Sequence, residues 1–152
     1  MEKHPDNFSD RIKLFFSEYE RRFNDAMQDP AVVDVDGFIT SFADFVVGGN
    51  HLGVSGGRND EQFRTAMSKG FDFYKSIGTK YMRAASLDIS PLDAYHAMVK
   101  VHWDSRYQKK DGAEERIEFD VIYFLQIREG APKIFAYITG DEEKALKEHG
   151  IT

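Results

Sequence analysis

The sequence predicts an α+β fold in which N-terminal helices pack on a curved antiparallel sheet, a cone-shaped roll with a pocket between the two layers. Two segments in the last third carry that prediction. Ala97, Val99, Val101 and Trp103, and then Ile117, Phe119, Val121, Tyr123, Leu125 and Ile127, alternate with mostly polar residues as half-buried strands do. Ahead of them lie about three stretches whose apolar residues recur at helical spacing. Helices first and a meander of strands afterwards disfavour a parallel doubly wound sheet.

The first helix follows from Phe8, Ile12, Phe15, Phe16, Tyr19, Phe23 and Met27, which step by three and four residues until Asp29 and Pro30 end the pattern. A second, short helix is expected after Asp36 as its N-cap, carrying Phe38, Ile39, Phe42 and Phe45 inward. Residues 46–58 hold five glycines and read as a loop or short irregular strand. Asn59 with Gln62 resembles a capping box for a third helix, whose inward positions Phe63, Ala66, Met67, Phe71, Tyr74 and Ile77 lead to a stop at Gly78. Strands are expected at 79–89, 95–108, 117–128 and 133–139, with Asp111 and Gly112 turning the central hairpin and a short polar helix at 141–149.

At 152 residues the chain has the size of one domain, expected to span 1–152, and no repeat or linker divides it. A formal charge of −6 gives no general attraction to phosphate backbones or anionic lipid, so neither nucleic acid nor a membrane is an expected partner. The absence of cysteine excludes disulfides, thiolate metal sites and cysteine nucleophiles. Residues 1–10 lack the apolar run of a signal peptide, which points to the cytoplasm, and the glycosylation triplet Asn7-Phe8-Ser9 then has no meaning.

Tyr19 with Asn24 on the first helix, the Phe42-Ala43-Asp44 step into the glycines, the helix end from Phe71 to Gly78, the Trp103 strand and the strand from Ile134 to Tyr137 occur in an order that resembles the nuclear transport factor 2-like (NTF2-like) superfamily. That group has a cystatin-like roll and includes SnoaL-like polyketide cyclases, ketosteroid isomerases and scytalone dehydratases. Isomerase chemistry of the ketosteroid type needs a carboxylate base and an oxyanion hole of tyrosine plus a protonated acid. The resemblance puts Tyr19 at the oxyanion tyrosine. It puts the base at Asn50, whose amide accepts no proton near neutral pH, with His51 one residue further, and the second acid at Tyr123 or Phe124. Two of three parts are missing, which disfavours that route.

Histidine is the residue type suited to proton transfer near physiological pH, so His51 is the candidate catalytic acid or base, with Tyr19 or Tyr123 polarising an oxygen; the rival reading of His51 is an exposed loop histidine without a task. Phe23, Asn50, Trp103, Tyr123 and Tyr137 are the candidate ligand-binding residues, offering rings, hydroxyls and an amide to a small, largely apolar molecule; the rival reading is a filled core. Gly53-Val54-Ser55-Gly56-Gly57 spells a nucleophile elbow, but the strand-turn-helix context that motif needs is absent. The same glycines lack the Lys and Ser/Thr ending of a phosphate loop. His96, His102 and Asp104 share a strand face, yet the first two stand roughly 20 Å apart at about 3.3 Å per residue, so no metal site and no cofactor is expected.

Glu118 and Asp120 fall on the sheet face turned away from the helices. Met98, Ile122 and Phe124 share that face, and a strand apolar on both sides is usually covered on both. A homodimer packed sheet to sheet is the expected cover. Three functions remain in play: binding of a small apolar molecule; an isomerase-, cyclase- or dehydratase-type enzyme using His51 and the tyrosines; and a protein-interaction module.

Overall fold

The computed structural model describes residues 7–152, so most of the N-terminal segment considered for an export signal lies outside the described residues. Chain order is α1 (Phe8–Ala26), α2 (Val35–Ile39), β1 (Phe42–Asn50), β2 (Gly53–Arg58), α3 (Glu61–Ser76), β3 (Thr79–Pro91), β4 (His96–Gln108), β5 (Glu114–Gln126), β6 (Lys133–Thr139) and α4 (Glu142–Glu148). The strands form one mixed, mostly antiparallel sheet in the order β2-β1-β6-β5-β4-β3. Strands β3 to β6 make the expected meander. The addition is the β1–β2 hairpin, joined to it by a parallel pairing of β1 with β6.

Helix α1 buries the stripe its spacing predicts, with Ile12 and Phe16 fully enclosed and Phe8, Phe15 and Phe23 nearly so. It packs against Val99, Val101, Trp103 and Leu125, the alternate residues of β4 and β5 that register places on the concave face. Its polar side chains also reach β3. The Asn24 amide donates to the Met82 carbonyl and accepts from the Met82 N–H, both at 2.8 Å, and Glu20 accepts from the Ala84 N–H at 2.6 Å. Backbone groups of an edge strand are thereby satisfied by a helix. Register shifts between Thr79 and Tyr81, between Ala84 and Ser86, and between Phe124 and Leu125 bend the sheet around the helix.

Three sequence expectations change. Helix α2 starts earlier than expected, with the Asp34 carboxylate, rather than Asp36, accepting from the Gly37 N–H at 2.9 Å. It stops at Ile39, because Phe42 to Val47 pair as a strand. Phe42 and Val46 turn into the core, whereas Phe45 turns outward, 57% exposed, beneath the Arg58 guanidinium at 4.8 Å. The glycine-rich stretch, expected as a loop or short irregular strand, is a paired hairpin: Asn50 pairs with Gly53, and Gly53 takes a φ of 139° that other residues rarely adopt. Helix α3 is capped by Asp60, one residue after Asn59, through bonds from the N–H groups of Gln62 and Phe63. Asn59 instead donates its amide to the carbonyls of Ile39 and Phe42, fastening the hairpin base to α2.

Candidate functional site

A cavity of about 330 Å³ opens between the sheet and α1 to α3. Helix α1 supplies Tyr19 and Phe23, α3 supplies Phe63, Met67, Phe71 and Tyr74, and the concave face of the sheet supplies Trp103, Val121, Tyr123 and Tyr137. The wall is therefore mostly aromatic. Tyr19 is at its centre, with ring centroids 5.1 Å from Phe38 and 6.2 Å from both Trp103 and Tyr123. Gly48 on β1 makes room for one of these rings: a Cβ there would come within 2.8 Å of the Tyr137 ring.

Hydrogen bonding orders the polar atoms of this wall. The Trp103 indole N–H donates to the Tyr123 hydroxyl at 3.1 Å, a fully buried bond. Burial raises the pKa of Tyr19 and of Tyr123, and their mutual proximity adds to the rise at Tyr123, so both phenols remain neutral. Two neutral hydroxyls thus face a low-dielectric hollow, able to donate to or accept from a ligand oxygen or nitrogen.

The opposite rim carries a carboxylate that the sequence reading missed. Glu142, the first residue of α4, lines the cavity, and the Tyr74 hydroxyl lies 2.7 Å from each of its carboxylate oxygens. Glu142 is exposed at the rim, yet partial desolvation of its carboxylate raises its pKa above the ordinary glutamate value, and the Tyr74 bond opposes the rise only in part. Burial, followed by the Glu142 charge, likewise pushes the Tyr74 phenol upward, so Tyr74 is the donor of this pair. Helix α4 reaches this position because Leu146 is buried against Tyr107 and Ile117, and Glu142, four residues earlier, shares its face. Ala145 and Leu146 in an otherwise charged segment were the available signal.

Of the residues singled out from sequence, Tyr19, Phe23, Trp103, Tyr123 and Tyr137 meet around this one cavity. Asn50 and His51 lie elsewhere, at the tip of the β1–β2 hairpin. The Asn50 side chain accepts from the Leu52 N–H at 2.9 Å, and His51 Nε2 lies 3.4 Å from an Asp141 carboxylate oxygen, outside the cavity wall.

The convex face of the sheet has its own polar order. His102 is held between Asp120 at 2.7 Å and Glu118 at 3.0 Å, bonds that raise its pKa. Asp104, 1% exposed, lies under the guanidinium groups of Arg83, Arg106 and Arg116. His96 turns to Asp93 at 2.8 Å. The three side chains considered for a metal are thus each engaged with a different set of partners.

The sequence model of the family described as NTF2-like protein (DUF6841) matches residues 9–142. The chain belongs to that family. Solved structures place this NTF2-like protein in the same fold. An NTF-2 like protein of unknown function from Shewanella oneidensis MR-1 is similar at 15% identity, over 88% of this chain and 98% of that one, with a TM-score of 0.61. Aln2 from a Streptomyces species is similar at 13% identity, over 96% and 99%, with a TM-score of 0.66. A ketosteroid isomerase-like protein from Erwinia carotovora atroseptica is similar at 12% identity, over 87% and 91%, with a TM-score of 0.56. Such identities speak for the fold alone. No curated protein sequence matches the chain. Among the described residues no helix is long and apolar enough to cross a membrane.

Proposed function

We propose that this NTF2-like protein binds a small, largely apolar organic molecule in the hollow between its sheet and its helices. The observation that carries the reading is the aromatic cavity of about 330 Å³, in which a few neutral hydroxyls are fixed by hydrogen bonds. Volume and make-up both suit a small-molecule site, in which apolar walls supply affinity and sparse polar groups set orientation. Trp103, the one tryptophan of the chain, forms part of the wall and reports occupancy directly.

The test combines native mass spectrometry of the protein as purified with titration of Trp103 emission by 1-adamantanemethanol, a rigid hydrocarbon cage that is transparent where tryptophan absorbs. A saturable emission change is expected, weakened in Ala66→Phe, which places a ring at the cavity rim from an exposed position on α3. No co-purifying mass and no saturable response, or a response indifferent to Ala66→Phe, would remove the cavity as the site.

We also propose that the convex face pairs with a second copy of the chain. Val47, Val54 and Ile138 are exposed there beside the half-buried Ile122, Phe124 and Met98, a continuous apolar strip running from β2 to β4. Strips of this kind on soluble proteins commonly mark interfaces.

A further inference from the structure

The cavity is chemically lopsided in a way that narrows what it can hold. Among the described residues its lining contains one carboxylate, Glu142, and no lysine, arginine or histidine. Among the described residues Glu142 makes no ion pair, and its carboxyl group, exposed at the mouth, is bonded only by the Tyr74 hydroxyl. An ionised carboxylate offers about four lone-pair directions, and the single Tyr74 proton satisfies one. Glu142 is exposed at the mouth of the hollow, so water solvates its free lone pairs until a ligand cation takes them. The remaining lining is mostly aromatic, and a ring that presents its face to a ligand attracts a cation and disfavours an anion.

Resting on the small-molecule reading above, we propose that the ligand is a hydrophobic amine, its hydrocarbon body among the rings and its protonated nitrogen at the Glu142 end. The Glu142 carboxylate accepts from the ammonium and supplies its counter-charge. Tyr74 holds that carboxylate in one orientation by donating to it, leaving the other lone pairs for the ligand. The negative formal charge of the whole chain, −6, favours approach of a cation over an anion to the same mouth. Organic carboxylates and phosphate esters are disfavoured by the same arrangement, since among the described residues no basic side chain of the wall could meet their charge.

Three ligands that share one cage and differ only in charge test this: 1-adamantanemethylamine, 1-adamantanemethanol and 1-adamantanecarboxylate, each titrated against Trp103 emission at neutral pH. In the wild type the amine is expected to bind at least about tenfold tighter than the alcohol, the increment for a partly desolvated cation between a carboxylate and aromatic rings. The carboxylate is expected to bind most weakly of the three. Glu142→Gln keeps an acceptor for Tyr74 while removing the charge, and should close the gap between amine and alcohol. Glu142→Lys should reverse the order so that the carboxylate leads, a gain that a misfolded variant could not produce. An alcohol that binds as tightly as the amine overturns the proposal, as does an amine preference that survives Glu142→Gln. If the alcohol binds and the amine does not, the amine proposal falls and the cavity reading stands; if none of the three binds, both fall.

Discussion

Asp104 shows how a residue can be placed on the correct face from sequence while its surroundings stay hidden. Alternation puts it on the convex face with His102, as the sequence implies, but nothing in spacing reveals that three guanidinium groups from β3, β4 and β5 roof it over. Burial alone would raise its pKa, and the bonds from Arg116, Arg106 and Arg83 outweigh that and hold it at about 2. A carboxyl that ionises more readily folded than unfolded, where the ordinary value is about 3.9, stabilises the fold above that range and ceases to as pH falls toward 2. Asp104→Asn should therefore cost about 1–3 kcal/mol at pH 7, and its urea midpoint should approach that of the wild type on acidification. A gap that stays constant from pH 7 to pH 3 would show that the arginines do not act through the Asp104 charge. The cavity tyrosines were legible for a simpler reason: Tyr19, Tyr123 and Tyr137 occupy positions that helical or strand periodicity already turns inward. Glu142 was not, because one carboxylate in a charged helix looks like any solvated one until a distant partner, Tyr74, is known.

At the scale of elements, long periodic stretches were read well and short ones were not. Helix α1, helix α3 and strands β3 to β6 lie within a few residues of expectation, since each has enough apolar residues to establish one period. Helix α2 and strand β1 were merged because Phe38, Ile39, Phe42 and Phe45 fit helical spacing by chance, while the competing strand pattern became decisive only through pairing with β2 and β6. The glycines concealed β2 for the same reason, having no side chains from which to read a period. Helix α3 contains one avoidable weakness, Gly70 in its interior, where an added Cβ meets open space. Gly70→Ala should stabilise the protein by about 0.5–1 kcal/mol, visible as a rise in Tm of about 2–4 °C per kcal/mol. A fall would mean that the helix needs the glycine for close packing.

For the whole molecule, the two faces of the sheet have different tasks. The concave face packs on α1 and lines the cavity, and the convex face divides into a charged region around Asp104 and His102 and an apolar strip around Ile122, Phe124 and Ile138. Phe124→Asp places a charge in that strip without touching the cavity wall. Light scattering should show two chains per particle in the wild type and one in the variant; a single-chain wild type, or a variant that stays paired, would discard the self-association proposed above. The two borders of the sheet are also held unequally. On one side β3 is stitched to α1 through Asn24 and Glu20, whereas on the other β2 is exposed along its length and, among the described residues, pairs in the sheet with β1 alone. Heating should therefore loosen that margin first, with the glycine-rich ribbon leaving before the tryptophan side of the hollow changes shape.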